Sequence, residues 1–427
     1  MGPCFLAALL AACGPKPPVR TALRGDLVEL KRDILSAQKA GTLDHGAVVK
    51  LAQAVGEREL TSAAGRDGAL RVRSLRSCAL PLREAMQQRA QGEDDVAAEL
   101  TLILLEANVA DRTTLLNRHV RSTNGAWRAV AARAAQRPID TDLRRAFYVD
   151  PDERVRRAAF STALQVRDPA ELEVLLEAAR VDPDPNGQSI AVRAVGTIGG
   201  ERAVLALKDL WVHADDTLRV AIVDAWSEPP SFLAGGAREL ALAEDGAAGL
   251  AAVSASYALA RTGGADAARA KARLRHDILD GSDDEKRLAL RVAPIDAETE
   301  AAIAKVAKEA SPELRVVALT RLTSITARRA DAIAALRELA KPKASSVSEQ
   351  RAQDEAISAL ADAGDSSVLA TLIKNVQGKE LSTRSRAARA LTSLGDYGSA
   401  ATALADDDAN LRSAVACSVL ARETAER

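Results

Sequence analysis

Aromatic side chains are nearly missing from this chain, with Phe, Trp and Tyr together making up 2% of its 427 residues. A core of large rings is therefore excluded, and small and branched aliphatic side chains must fill the interior. An excess of either charge is also missing, since 58 Lys and Arg stand against 59 Asp and Glu. A net charge of −1 argues against a non-specific polyanion binder, so no nucleic-acid partner is expected. The four histidines, His45, His119, His213 and His276, have no second His or Cys three or four residues away. Zinc ligands must converge from several positions, so no metal is expected. No P-loop, dinucleotide fingerprint, Gly-x-Ser-x-Gly elbow or His-Glu-x-x-His appears, and neither a cofactor nor an enzymatic activity is expected.

What the chain does contain is repetition. The pattern Ala-(Leu/Val)-x-x-x-Gly-(Gly/Asp) occurs at Ala194 to Gly200, Ala258 to Gly264, Ala359 to Asp365 and Ala390 to Asp396. Its glycines lie 64, 101 and 31 residues apart, close to two, three and one steps of a period in the low thirties. A second pattern, (Asp/Ser)-x-x-(Val/Leu)-Arg, occurs at Asp152 to Arg156, Asp215 to Arg219, Ser311 to Arg315 and Asp408 to Arg412. Its apolar positions are 63, 96 and 97 residues apart, or eight units of 32. Two unrelated patterns share one period. A repeat of that length is a helix pair that buries its apolar face only by stacking on its neighbours.

Each part of the repeat has a physical task. Asp or Ser caps a helix by accepting an unpaired N–H of the first turn. Apolar stripes follow at helical spacing: Val155, Ala159, Ala163, Val166; Leu218, Ile222, Trp226; Leu411, Val415, Val419. Glycine ends the helix because it adopts the left-handed conformation without a Cβ clash. A second stripe, such as Leu172, Leu175, Leu176 and Ala179, completes the pair. No period-2 alternation marks a strand. The fold expected is all-α, an α-solenoid of stacked helix pairs, and its alanine-rich stripes predict close helix packing.

The capped Val/Leu-Arg start, the Ala-Leu helix body and the Gly-Asp turn, as in Asp150 to Leu164 and Leu381 to Asp396, resemble HEAT repeats. The likeness is to the short type found in phycobilisome lyase-like repeat proteins. It covers roughly residues 123–427, with 23–122 expected to be an irregular helical capping region. Such repeats imply a protein-binding surface, and in that family the repeated Arg and Asp form ladders. Because Asp precedes Arg by four residues, an ion pair on one helix is expected for Arg156, Arg219 and Arg412, with Ser311 capping ahead of Arg315. A rival reading keeps those arginines as an anion-binding stripe.

Long apolar runs are otherwise absent, but Phe5 to Ala12 is one of signal-peptide length, far short of a ~20-residue membrane span. It ends in Leu10-Ala11-Ala12-Cys13, which resembles a bacterial lipobox. That resemblance implies removal of residues 1–12 and acylation of Cys13, followed by a tether over 13–22 whose Pro-rich stretch, Gly14 to Arg20, is expected to be extended. The protein is then expected to be lipid-anchored in the cell envelope, facing the periplasm, as a scaffold for protein partners. A lyase or chaperone-like enzyme of the phycobilisome lyase kind is the alternative. Beyond Cys4 and Cys13, two cysteines remain, Cys78 and Cys417, near opposite ends of the array. They are expected to be buried free thiols. One further candidate is Asp182-Pro-Asp184-Pro-Asn186-Gly187, the first half of a calcium loop. Its twelfth position is Arg193 instead of an acid, so an inter-repeat turn is expected there.

Overall fold

The computed structural model describes residues 17–246, 249–262, 264–341 and 346–426, and among these every regular element is helical. The lipobox and Cys13 lie outside the described residues. The fold is an all-α solenoid of stacked helix pairs. The chain divides into two compact units, unit 1 from residues 1–110 and 360–427 and unit 2 from residues 111–359.

Unit 1 begins with α1 (Pro17–Arg24), α2 (Leu27–Lys39), α3 (His45–Ser62), α4 (Gly65–Val72), α5 (Arg83–Arg89) and α6 (Asp95–Glu106). The helix starting at Pro17 corrects the expectation of an extended stretch running to Arg20. Proline suits a first helical turn, where its missing N–H has no partner to lose, and Thr21 and Ala22 bury against the unit. Caps fall where the acids announce them. Asp26, Asp44 and Asp94 accept from the N–H groups of Glu29, Ala47 and Ala97 at 2.8–2.9 Å.

Unit 2 holds the regular array. Its pairs are preceded by α7 (Arg112–His119) and run from α8 (Gly125–Ala134) with α9 (Thr141–Tyr148) to α10 (Glu153–Val166) with α11 (Leu172–Val181). They continue through α12 (Pro185–Ile198) with α13 (Glu201–Trp211), and α14 (Asp216–Ser227) with α15 (Ala237–Gly246). Then come α16 (Leu250–Thr262) with α17 (Ala267–Asp280), α18 (Asp283–Val292) with α19 (Ala297–Glu309), and α20 (Pro312–Leu322) with α21 (Arg329–Leu339). The chain leaves unit 2 within α22 (Val347–Asp362). First helices stack on first helices, α8 on α10, α10 on α12 and α12 on α14.

Small residues set the spacing of this stack. Gly196 of α12 lies so close to α14 that a Cβ there would sit 2.5 Å from Ala225 Cα. Pro229 and Pro230 then turn the chain, and the buried Ser231 hydroxyl donates to the Gly196 carbonyl at 2.9 Å. Gly199, Gly364 and Gly395, three glycines of the first sequence pattern, have φ between +73° and +79° and end their helices as expected.

Unit 1 is completed by α23 (Leu369–Asn375), α24 (Leu381–Ser393) and α25 (Ala409–Glu426). Helix α25 packs on α3 and on the 3-10 turn Arg73–Cys78. Here the structure overturns the expectation of two free thiols. Cys78 and Cys417 form a disulfide, with Cα atoms 5.2 Å apart across 339 residues of sequence. The linear picture of a repeat array placed them at opposite ends, whereas both belong to one unit.

Candidate functional site

Two of the four motif arginines, Arg156 and Arg412, bind beyond their own helix, and Arg128 and Arg384 do so at equivalent places. Arg156, four residues after its cap Asp152, sends Nε and Nη2 to Asp182 at 2.8 and 3.1 Å, and Nη1 to the carbonyls of Asp150 and Pro151. Arg128 does the same with Asp150 (2.8 and 2.8 Å) and the carbonyls of Ser122 and Thr123. Arg384 uses Asp406 (2.7 and 3.0 Å) and the carbonyls of Gly378 and Lys379. Each guanidinium thus ties the turn before its own helix to the turn that opens the next repeat. Arg412 sends Nη1 to the carbonyls of Asp406 and Asp407, and its acid is Glu59 of α3, 2.7 Å from Nε. The expected pair with the helix's own cap is therefore corrected for Arg156 and Arg412. The cap carboxylates are used by backbone, Asp152 by Arg154 N–H and Asp408 by Leu411 N–H. Side chains of a helix also lean toward its N-terminus, which aims the arginine past its cap.

The acids of the turns divide this work. In Asp150-Pro151-Asp152, Asp182-Pro183-Asp184 and Asp406-Asp407-Asp408, the first Asp takes the arginine of the preceding repeat and the N–H two residues on. The last Asp of each turn, Asp152, Asp184 or Asp408, caps the helix. Burial opposes ionisation of Asp150 and Asp406, but the hydrogen bonds and charge of Arg128 and Arg384, together with the N–H groups of Asp152 and Asp408, hold both carboxyls below the usual range. The turn 182–187 is built this way. Asp182 holds Arg156, while Asp184 pairs with Arg157 and accepts from the N–H groups of Asn186 and Gly187. Its carboxylates face arginines and backbone.

Arg219 and Arg315 hold the same motif position without this ladder. Arg315 donates to the Ala307 carbonyl at 3.3 Å. Arg219 lies over the Trp211 ring, 5.6 Å from its centroid, and 3.8 Å from the exposed Asp216. Glu244, a buried acid 25 residues after Arg219, is engaged by Arg269 at 2.8 and 3.0 Å. Trp211 in turn packs against the buried Trp226, with ring centroids 5.3 Å apart.

Beside this cluster runs a feature that sequence reasoning missed. Val149, Val181 and Val212 stand at the ends of the second helices α9, α11 and α13, exposed by 74%, 63% and 65%. They are 32 and 31 residues apart, one per repeat, and packed helices lie ~8–10 Å apart. Unit 2 thus carries a column of exposed apolar side chains at the repeat pitch, with Trp211 and Arg219 beside its third member. The signal was in the sequence as a recurring Val just before the acidic turn.

The histidines lie apart. His45 contacts Glu423 at 2.7 Å and the edge of Tyr397, and His276 pairs with Asp280 at 3.2 Å. His119 stacks on Trp127, where burial and then the charge of Arg118 push its pKa below the ordinary value. A separate buried lock joins α9 and α11. Arg144 donates to Glu171 at 2.6 Å and to the carbonyls of Ala135 and Arg137, and the Tyr148 hydroxyl donates to Glu171 at 2.6 Å.

A family model described as HEAT repeats matches residues 141–227, which run from α9 through α14 and include the ladder turn at 182–184. Over that stretch of unit 2 the helix pairs match HEAT repeats. Three solved structures are similar at low identity. An engineered protein is 17% identical over 74% of this chain and 99% of its own, with a TM-score of 0.28. The Escherichia coli protein YibA is 13% identical over 69% and 95%, with a TM-score of 0.31. She4p is 12% identical over 89% and 71%, with a TM-score of 0.30. No curated protein matches the sequence. At one end of the apolar column in unit 2, Trp211 and Arg219 are residue types enriched in binding hot spots, and the valines beside them add apolar contact area.

Proposed function

We propose that this HEAT-repeat protein is a non-enzymatic scaffold, anchored by lipid in the bacterial cell envelope, that binds other proteins through the repeat face of unit 2. The observation that carries the binding reading is the column Val149, Val181, Val212, which offers an extended partner one apolar contact per repeat. Leu10-Ala11-Ala12-Cys13 supports the anchor, with Cys13 as the acylated residue. The Cys78–Cys417 disulfide supports export, because such bonds persist in oxidising compartments such as the periplasm.

Two measurements test the two halves. Cells expressing wild type and Cys13→Ala are fractionated and the intact mass of the membrane form is taken. Wild type is expected in membranes, without residues 1–12 and with acyl mass, and Cys13→Ala is expected to be released or unprocessed. A soluble wild-type protein that keeps Met1 removes the anchor and leaves the repeats untouched. For the binding face, partners are crosslinked and recovered from membranes with wild type and with Val149→Glu/Val181→Glu/Val212→Glu. Loss of the recovered proteins at unchanged melting temperature is expected; recovery of the same set would sink the reading.

A further inference from the structure

Helix α2 has two unlike faces. Leu30 and Ile34 are fully buried in unit 1, whereas Val28, Arg32, Leu35 and Lys39 point outward. Those four lie at i, i+4, i+7 and i+11, one stripe of a helix. Val28 is 84% exposed. Together with Leu27 and Lys31 the stripe lines a shallow groove of about 580 Å³ closed on its other side by Ala405 and Asp407. Leu23 of α1 adds a further exposed apolar residue. Across residues 17–39 there are five basic side chains, Arg20, Arg24, Lys31, Arg32 and Lys39, against three acids. Of the acids, Asp33 accepts from Thr21 at 2.7 Å and Glu29 lies 3.5 Å from Arg32.

Exposed aliphatic side chains set among lysines and arginines on one helical face are what an anionic lipid surface binds: the apolar residues enter the headgroup boundary while the basic ones meet its charge. Chain length argues for the same occupant. Only three residues lie between Cys13 and Pro17, four steps of chain with a reach of about 14 Å even fully extended. An acylated Cys13 therefore leaves no room for a long spacer, and the first helices of unit 1 must come down beside the bilayer. We propose that α2, through Val28, Lys31, Arg32, Leu35 and Lys39, lies on anionic phospholipid and fixes which side of unit 1 meets the membrane. This rests on the lipid-anchor reading of Cys13.

The test uses the full chain in its acylated form, reconstituted on vesicles of phosphatidylcholine alone or with added phosphatidylglycerol. Cys4 leaves with the cleaved peptide, Cys13 carries lipid and Cys78 is bonded to Cys417, so a Val28→Cys substitution supplies a single thiol for an environment-sensitive fluorophore. Leu80→Cys, an exposed apolar position of unit 1 outside the stripe, is the control. On phosphatidylglycerol vesicles the label at 28 is expected to shift to the blue and be quenched by lipid-borne nitroxide, and the label at 80 is not. Lys31→Glu/Arg32→Glu/Lys39→Glu is expected to abolish both effects at 28. A label at 28 that stays water-exposed on an acylated protein overturns the proposal and leaves the anchor standing, whereas missing acyl mass removes the anchor itself. A label shielded by an added soluble protein and not by lipid assigns the stripe to a protein partner and equally overturns it.

Discussion

Arg156, Arg219, Arg315 and Arg412 share one place in the repeat motif, yet their surroundings give them unequal worth. Arg412 is buried, donates to two carbonyls and pairs with the buried Glu59. Removing one partner of such a pair strands the other, which costs ~3–5 kcal/mol. Arg412→Ala is expected near the lower end, about 3 kcal/mol, because Arg71 remains 3.4 Å from Glu59. Arg219 is partly exposed and its carboxylate partner is mostly exposed, so Arg219→Ala is expected to cost a few tenths to about 1 kcal/mol. Chemical denaturation of both variants checks the contrast, and equal losses would show that the ladder is not what separates them. The position of these arginines was legible from their spacing, but their partners were not. An i, i+4 rule sees one helix, while the acid of Arg156 lies 26 residues onward at Asp182 and that of Arg412 is Glu59, 353 residues back.

At the scale of the helix, most of the fold was legible because caps, stripes and glycine stops are local devices. Asp152, Asp215 and Asp408 cap as expected, with Ser311 alone at its place without a side-chain cap bond. Helix α1 was missed because its prolines read as a tether, although proline is at home in a first turn. Close packing was legible only as a tendency from alanine content, and it becomes specific at Gly196. Gly196→Ala raises helix propensity by ~1 kcal/mol, but its Cβ would meet Ala225 backbone, and overpacking costs ~1–3 kcal/mol or more. A net loss of stability is expected. Gly46→Ala in α3 meets nothing closer than 3.7 Å and is expected to stabilise by ~0.5–1 kcal/mol. Thermal unfolding of the two variants should move in opposite directions; two shifts of one sign would contradict the packing described.

At the scale of the whole chain, residues more than three hundred apart share a core, which no repeat period announces. The Cys78–Cys417 bond closes a loop of 339 residues, for which the chain-entropy relation gives up to about 6 kcal/mol. Reductant, or Cys78→Ser/Cys417→Ser, is expected to lower the melting temperature, and intact mass of the native protein should be two hydrogens below the fully reduced form. An unchanged melting temperature on complete reduction would remove the staple from the account. The same meeting of distant segments explains why Glu59 stands where a following repeat would supply an aspartate. In a stack whose last arginine waits for an acid, a second molecule can provide it, and head-to-tail contacts that never close grow into filaments. Here that valence is filled from within the same chain. Arg412 therefore offers nothing for another copy to join, and self-polymerisation through this rung is blocked.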